Sequence, residues 1–233
     1  MTYNITVEHI DESCSGRLGK FGIENYEIDF PIYWIGHSLR SSINLGDYFN
    51  STKHPLLISY GDLLKRKKLR NKIKSIGIHN FLQHDGPILG DSGGFKLLNN
   101  PDLSFNLEEL INFYAFSNID IGVSLDFPMS LTNDIEENKK RWKKTLKNLK
   151  KIIGSIDKIP IIPVIHGHTL SDIEEGCKDI QSIISQPIMI GIGGVVPLIK
   201  SSHIGKKFEY IREDGMIGDQ YTFLVDAIKL IKN

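Results

Sequence analysis

Four short segments combine side chains that can do chemistry with glycines that let a ligand approach the backbone, and each follows an apolar run. They are Asp-Ser-Gly-Gly-Phe at 91–95, Asp-Phe-Pro at 126–128, His-Gly-His at 166–168 and Gly-Ile-Gly-Gly-Val at 191–195. A carboxylate accepts protons and N–H hydrogen bonds, and an imidazole can donate or accept. If the apolar runs are parallel strands of a barrel, Asp91, Asp126 and His166 converge on one mouth at the carboxyl ends of the strands.

Each of these segments also has an ordinary structural interpretation. Asp-Ser-Gly is a turn sequence, Asp126 before Phe-Pro fits an Asx turn, and His166 fits a hydrogen-bonded strand end. Gly191–Gly194 lacks the complete G-x-G-x-x-G pattern and its acidic partner, which excludes a dinucleotide fingerprint. Together, the four segments favour a functional site. A purely structural interpretation would require a separate ordinary explanation for each segment, and all four segments lie at equivalent strand ends.

The elements that position these residues alternate between short apolar runs and amphipathic helices. The runs lie at 32–35, 56–59, 88–89, 119–125, 159–165 and 188–190. Continuously apolar strands are typical of parallel sheets that helices cover on both faces. Residues 16–30 predict a β-hairpin with a turn at Glu24 and Asn25. The alternation predicts an α/β fold of βα repeats, either an open doubly wound sheet or a barrel.

Three helices are predicted from apolar spacing and capping residues. Asn133 or Thr132 is expected to cap a helix whose apolar face carries Trp142, Leu146, Leu149 and Ile153. Ser171 is expected to cap the next helix, which continues to Ile184. The last helix is expected at Tyr221–Ile231.

Composition limits the class of protein. A chain of 233 residues with 40% hydrophobic residues suits one α/β domain or two small ones. Two cysteines, Cys14 and Cys177, offer neither a disulfide framework nor a C-x-x-C zinc clamp. The polar start is unlike a signal peptide, and no apolar run approaches the roughly 18 residues of a membrane span. We expect a soluble, cytoplasmic protein with one domain, 1–233, and no membrane partner.

Charge is distributed unevenly, although Lys+Arg and Asp+Glu each number 28. Seven of the ten residues at 65–74 and eight of the thirteen at 139–151 are Lys or Arg. Such runs either bind the phosphates of a nucleic acid or form solvated helix faces. The residues predicted to bind nucleic acid are Lys65, Arg66, Lys67, Lys68, Arg70, Lys139, Lys140, Arg141 and Lys143.

Four segments, in order along the chain, resemble the tRNA-guanine transglycosylase family. GRLG at 16–19 resembles the start of the family's opening hairpin, and GIHNFLQHDGPILGDSGGF at 77–95 resembles its stretch ending in D-S-G-G-F. SNIDIGVSLDFP at 117–128 and GIGGVVPL at 191–198 resemble motifs of its archaeal branch. The likeness covers almost the whole chain.

The resemblance implies a TIM-barrel-type α/β domain of the transglycosylase variant, with the hairpin at about 16–30 and the barrel at about 31–233. It implies exchange of guanine in a polynucleotide for a 7-deazaguanine base of the preQ0 kind. Asp91 matches the carboxylate proposed as general acid/base. The resemblance places these residues at the base: Ser92, Gly93, Phe95, Asp126, His166, Gly193, Gly194 and Val195.

The sequence also departs from the family. The family has Gln where this chain has His166. We find neither the D-x-F-D-like strand with the nucleophilic Asp nor the cysteine-rich zinc motif, so an incomplete barrel and no cofactor are expected. Asp91 is then the resident carboxylate candidate near the scissile bond, while the acids Glu213, Asp214 and Asp219 lie in a stretch that no motif places there.

Three hypotheses about the partner remain open. tRNA is the substrate that the family implies. A DNA-guanine transglycosylase of a phage or bacterial modification system is the first alternative. The second is a non-catalytic or split subunit, in a homo- or hetero-oligomer, that a partner chain completes with the missing nucleophile.

Overall fold

A computed structural model describes nine stretches of the chain, at residues 3–13, 16–23, 26–40, 53–99, 105–131, 133–184, 189–194, 208–212 and 214–232. Its contacts divide the chain into two compact units. The first contains Met1–Gly93, Ser104–Val123 and Ile152–Ile161, and the second contains Gly94–Leu103, Ser124–Lys151 and Ile162–Asn233.

The first unit opens with a three-stranded antiparallel sheet in the order β1-β2-β3. Its strands are β1 (Tyr3–Ile10), β2 (Arg17–Ile23) and β3 (Tyr26–Phe30). The pairing of β2 with β3 confirms the predicted hairpin, while its predicted turn at 24–25 lies outside the described residues. Strand β1 was not predicted, because an edge strand with exposed side chains resembles a polar terminus in sequence.

A parallel sheet follows in the order β4-β5-β6-β7-β8. Its strands are β4 (Ile35–His37), β5 (Leu56–Ser59), β6 (Ile88–Asp91), β7 (Ile121–Val123) and β8 (Ile161–Ile162). Buried Leu56, Ile58 and Ile88 confirm the runs predicted at 56–59 and 88–89. The strand predicted at 32–35 is wrong, since β4 begins only at Ile35 and Tyr33 before it is exposed. No hydrogen-bonded ring closes among the strands that the structure describes.

Helices α1 (Lys67–Ile76), α2 (Ile78–Leu82) and α4 (Leu107–Phe116) belong to the first unit. Gly77 separates α1 from α2 with a φ of 81°, a conformation that favours glycine. Asn106 caps α4, because its side-chain oxygen accepts from the backbone N–H groups of Glu108 and Glu109.

Arg70 on α1 is a structural residue and not a surface cation. Its side chain is 7% exposed, and Nη2 lies 2.9 Å from Oε2 of Glu109 on α4. Nη1 also donates to the carbonyl oxygen of Leu63, at 3.2 Å. The guanidinium therefore ties α1 to α4 and to the short helix Tyr60–Leu63, and a contact of Arg70 with nucleic acid stays a prediction.

Replacing Arg70 by leucine is expected to lower the free energy of unfolding by about 1–3 kcal/mol, because buried hydrogen bonds from a charged group are lost. The exposed neighbour Lys68 provides the control, and Lys68→Leu is expected to change stability by less than about 0.5 kcal/mol. Urea unfolding followed by circular dichroism measures both values. Equal losses in the two variants would contradict this role of Arg70.

The second unit contains α3 (Phe95–Asn99), α6 (Leu170–Gln181), α7 (Gln220–Lys232) and most of α5 (Ile135–Ile153). Its strands are β9 (Val164–Ile165), β10 (Gly191–Ile192), β11 (Tyr210–Ile211) and β12 (Ile217–Gly218). Strands β9 and β10 pair in parallel, and β11 and β12 pair antiparallel. The run predicted at 159–165 divides at Pro163 into β8 and β9, since proline has no N–H for a ladder.

Two predicted helix caps are wrong by one or two residues. The Oδ1 atom of Asp134, not Asn133, accepts from the first turn of α5, and Thr132 lies outside the described residues. Thr169, not Ser171, caps α6, because Thr169 and Asp172 exchange reciprocal hydrogen bonds in a capping box. α6 also ends at Gln181, before the predicted Ile184.

The predicted last helix is confirmed as α7, and Asp219 accepts hydrogen bonds from its first turn. No helix of the described residues has the length and apolar character to cross a membrane.

Candidate active site

Asp91 ends strand β6 in the first unit, and two neighbours hold its carboxylate. Oδ2 accepts a hydrogen bond of 2.9 Å from the hydroxyl of Ser59, its partner at the end of β5. The same oxygen accepts from the backbone N–H of Gly93, at 3.0 Å. The carboxylate is half-buried and oriented from two sides, as an acid–base group requires.

The loop after Asp91 needs glycine at position 93. Gly93 has a φ of +83°, and a Cβ atom there would lie 2.5 Å from the Cα of Gly61. No side chain fits so close to a backbone, and Ser92 beside it is fully buried. Glycine therefore lets the Asp91 loop pack directly on the short helix Tyr60–Leu63.

Sequence reasoning missed Ser59 and Tyr114, which support this strand end. The Oη atom of Tyr114 lies 2.7 Å from the carbonyl oxygen of Gly90 and 2.9 Å from that of Val123. Tyr114 thereby joins the ends of β6 and β7. Ser59 could have been recognised in the sequence, because it is the single polar residue at the end of the apolar run at 56–59.

Asp126 and His166 form a buried pair in the second unit. The Nε2 atom of His166 lies 2.7 Å from Oδ2 of Asp126. The exposed fractions are 2% for His166 and 9% for Asp126. A buried carboxylate in contact with an imidazole is an arrangement suited to hydrogen-bonding the edge of a polar ligand.

Glycine backbones surround this pair on two sides. A Cβ atom at Gly94 would overlap Oδ1 of Asp126, and one at Gly193 would overlap the ring of His166. Gly194, with a φ of +81°, lies beside Nδ1 of the same ring. The structure thus brings four predicted base contacts together, with Gly94 beside them: Asp126, His166, Gly193 and Gly194.

Helix α5 fixes the backbone around Asp126 through side chains that sequence reasoning assigned to other roles or missed. Asn148 donates to the carbonyl oxygen of Leu125 at 3.1 Å, and Thr145 accepts from the N–H of Phe127 at 2.9 Å. Arg141 donates to the carbonyl oxygen of Pro128 at 3.0 Å.

Arg141 is therefore a positioning residue. Its Nε atom also pairs with Glu137 at 3.1 Å, and the side chain is largely buried. A contact of Arg141 with nucleic acid stays a prediction, as for Arg70, and the guanidinium of Arg141 is engaged within the fold.

The remaining predicted base contacts have different outcomes. Phe95 begins α3 with 42% of its surface exposed, so part of the ring is accessible for stacking. Val195 lies outside the described residues. Ser92 and Gly93 share the first unit with Asp91, and the convergence of Asp91 with Asp126 stays a prediction.

Exposed lysines form a stripe along one face of α5. They are spaced by three or four residues, which places them on one side of a helix: Lys140, Lys143, Lys144, Lys147, Lys150 and Lys151. Lys139 pairs with Glu136, at 3.2 Å. In the first run, Lys65, Arg66, Lys67 and Lys68 are exposed around the start of α1.

Comparison with known protein families shows to which family this chain belongs. A family model described as queuine tRNA-ribosyltransferase matches residues 11–207, a range that includes all four chemistry-bearing segments. The chain belongs to this family. Membership confirms the transglycosylase resemblance and the α/β fold class of TIM-barrel type.

Curated relatives of the chain carry the name tRNA-guanine(15) transglycosylase. The Methanobrevibacter smithii relative is 30% identical over 81% of this chain and 29% of its own length. The Pyrococcus furiosus relative is 29% identical over 82% of this chain and 32% of its own length. The Nanoarchaeum equitans relative is 29% identical over 83% of this chain and 46% of its own length. This chain thus spans less than half the length of these relatives.

The described part of this chain contains no residues that match the zinc site of the family. No group of three or more His, Cys, Asp and Glu side chains there could hold a metal ion. The described residues therefore do not fit a zinc ion.

Proposed function

We propose that this chain takes part in replacing guanine in tRNA by a 7-deazaguanine base. The family match and the names of the relatives support the reaction class. The observation that carries the proposal is the buried Asp126–His166 pair, which lies among the backbones of Gly94, Gly193 and Gly194.

Base recognition follows from the donor and acceptor pattern of guanine. Its N1–H and exocyclic amino group are donors, and a carboxylate is an acceptor only, so Asp126 suits this edge. Glycine lets main chain approach the flat ring. Phe95 supplies an aromatic surface for stacking, which stabilises a base in a site by about 1–3 kcal/mol.

The proposed chemistry is a double displacement at C1′ of the ribose. A carboxylate attacks C1′ as the C1′–N9 bond breaks, and the departing guanine takes up a proton. The incoming deazaguanine then loses a proton as it displaces the carboxylate from C1′. We assign the proton transfers to Asp91, since Ser59 and Gly93 hold its carboxylate in one orientation.

The proposal places the attacking carboxylate outside the residues of the sequence in hand. Retaining chemistry of this kind needs one carboxylate as nucleophile and another for the proton transfers. The family's nucleophile belongs to a D-x-F-D-like segment that has no match in this sequence. A partner chain that supplies it, in a homo- or hetero-oligomer, is one form that the proposed function can take.

Transfer of labelled guanine tests this function. The chain is incubated with ¹⁴C-labelled guanine and either unmodified tRNA or duplex DNA, with and without extract of its source cells. We expect label in tRNA once the extract supplies the partner. Label in DNA would favour the DNA-modifying alternative, and a chain that neither binds guanine nor labels either polymer would refute the proposal.

The lysine stripe of α5 is expected to bind the tRNA backbone. The variant Lys140→Ser/Lys143→Ser/Lys147→Ser/Lys150→Ser should weaken tRNA binding about tenfold or more in 0.1 M salt. The slope of log affinity against log salt should fall by about 3, because four counterion-releasing contacts are lost. Lys144 stays unchanged, since its Nζ lies 5.1 Å above the ring of Phe127 beside Asp126.

A matched control removes four positive charges elsewhere. Lys20→Ser/Lys158→Ser/Lys178→Ser/Lys229→Ser gives the same net charge without touching either basic run. Filter binding across about 50–200 mM salt compares the two variants. Equal weakening in both would show a general charge effect and would contradict a binding role for the stripe.

A further inference from the structure

Helix α7 is apolar on two sides. On its inner side, Phe223 and Ala227 are buried. The ring of Phe223 packs edge-on against the rings of Phe208 and Tyr210, at centroid distances of 5.4 and 5.2 Å, and the hydroxyl of Tyr210 donates to Asp226. These contacts attach the inner side of α7 to the rest of the second unit.

The outer side of α7 is exposed to solvent. Tyr221, Val225 and Ile228 are 59%, 50% and 50% exposed, and their spacing of four and three residues places them on one side of the helix. The half-buried Leu224 and Ile231 continue the same row, and these five residues form what we call the outer stripe. A helix that is apolar on opposite sides is typical of one buried between two layers of protein. The outer stripe therefore indicates a surface that another polypeptide covers.

The hairpin of β11 and β12 adds apolar surface close to the outer stripe. Ile211 and Ile217 are cross-strand partners and are 79% and 70% exposed, and Met216 before Ile217 is exposed as well. Because β12 ends at residue 218 and α7 begins at residue 220, Ile217 lies one short turn of chain from Tyr221. Single exposed apolar side chains are common, whereas a group of them marks an interaction site.

The charges at the two ends of the outer stripe have opposite signs. Asp219 stands exposed before the first turn of α7. Lys229 lies near the other end with 69% of its side chain exposed, 3.6 Å from Asp226. In a second α7 that runs in the opposite direction, Lys229 would lie beside Asp219 of the first, and the two helix dipoles would also attract each other. The outer stripe thus complements a second copy of itself in charge.

The sizes of the side chains fit the same arrangement. A twofold axis between Leu224 and Val225 would pack Leu224 of one copy on Val225 of the other, and Tyr221 on Ile228. A symmetric dimer needs such a self-complementary patch, because each residue meets the same surface that its own copy presents.

We infer that a second copy of this chain covers the outer stripe, so that the protein forms a twofold dimer through antiparallel α7 helices. Specific interfaces bury about 1,200–2,000 Å² in total, and the contact of two 13-residue helices is small on this scale. Ile211, Met216 and Ile217 are therefore expected to extend the interface. The inference does not depend on the proposed function, because none of the proposed base contacts belongs to this surface.

Analytical ultracentrifugation of the full chain tests the inference directly. Sedimentation equilibrium is measured at chain concentrations of about 1–100 μM, the range in which an interface of this size associates. The average mass is expected to rise with concentration from that of one chain towards that of two. A mass of one chain at every concentration would overturn the inference, and so would growth beyond two chains, because a twofold contact closes after two copies.

A substitution in the middle of the outer stripe locates the interface. Val225→Glu brings two like charges together near the axis and should raise the dimer dissociation constant about tenfold or more. Ile135→Glu is the matched control, since Ile135 is also an exposed apolar residue on a helix of the second unit, at 73%, and it should leave the dissociation constant unchanged. Circular dichroism checks that both variants are folded. An unchanged dimer in Val225→Glu, or equal weakening in both variants, would overturn the inference.

The charges at the stripe ends test the antiparallel arrangement. Asp219 accepts from the backbone N–H of Thr222, and Asp219→Asn keeps this cap because asparagine caps helices as well as aspartate does. In the wild type, Asp219→Asn removes the attraction to Lys229 of the second copy and should weaken the dimer about threefold. In the Lys229→Glu background it removes a repulsion and should strengthen the dimer by a similar factor. A change of the same sign in both backgrounds would overturn the inference.

Discussion

Asp91→Asn is expected to reduce guanine exchange into tRNA by about 10²–10⁴-fold, the usual contribution of a general acid–base group. Asparagine keeps an oxygen that can accept from Ser59 and Gly93, so the loop should retain its conformation. An amide, however, neither supplies nor removes a proton at the departing base. Exchange of ¹⁴C-labelled guanine, with the partner chain present, measures the loss.

An exposed aspartate serves as the control for this substitution. Asp157→Asn removes the same charge at an exposed position of the first unit and should leave exchange unchanged. Guanine binding by Asp91→Asn should stay within about tenfold of the wild-type value, because the proposed base contacts of Asp126 are intact. An equal loss of exchange in both variants would contradict the role of Asp91.

The same variant identifies the nucleophile. A covalent adduct between tRNA and protein, seen on a denaturing gel with Asp91→Asn, would place the attack on another carboxylate, as proposed. Full turnover by the isolated chain, with no adduct in Asp91→Asn and no activity in Asp91→Ala, would make Asp91 the nucleophile. That result would overturn the need for a partner chain.

The buried strands of the parallel sheet were predictable because a short run of consecutive apolar residues marks each of them in the sequence. A strand buried on both faces must be apolar at every position, so Leu56–Ser59 and Ile88–Asp91 stand out as short runs. The polar residue that ends such a run is equally visible, which is how Asp91 and Asp126 could be selected. Strand β1 lacks this signal, since its described side chains are exposed on an edge.

Pairings between distant residues were not predictable from one sequence. His166 meets Asp126 across 40 positions, and Arg70 meets Glu109 from another helix. A run of lysine and arginine looks the same whether a guanidinium faces solvent or turns inward, so the internal contacts of Arg70 and Arg141 could not be predicted. Burial and the available carbonyl oxygens decide between these outcomes, and both depend on tertiary structure.

Capping residues were mispredicted for a related reason. Thr169, Ser171 and Asp172 all have side chains that can cap a helix, and the sequence does not rank them. The reciprocal bonds between Thr169 and Asp172 satisfy two backbone N–H groups at once. Ser171 would satisfy one at most, so the helix begins earlier than the apolar pattern suggests.

Asp126→Asn is expected to weaken guanine binding by about 100-fold, or about 3 kcal/mol, at the upper end of the effect of a bidentate hydrogen-bonded pair. In the wild type, Oδ2 accepts from Nε2 of His166. Whichever way the asparagine amide turns, its NH₂ group opposes either that N–H or a donor of the base. Equilibrium dialysis with ¹⁴C-labelled guanine at pH 6.5 measures the loss.

A matched control and a double variant complete this test. Asp179→Asn also removes a half-buried carboxylate acceptor of the second unit, bonded to Nε1 of Trp142, and should leave guanine binding unchanged. Asp126→Asn combined with His166→Gln should lose less affinity than the two single losses added together, because contacting residues couple by about 0.5–3 kcal/mol. Strictly additive losses would show that Asp126 and His166 meet the base independently, against the single recognition unit that their 2.7 Å contact implies.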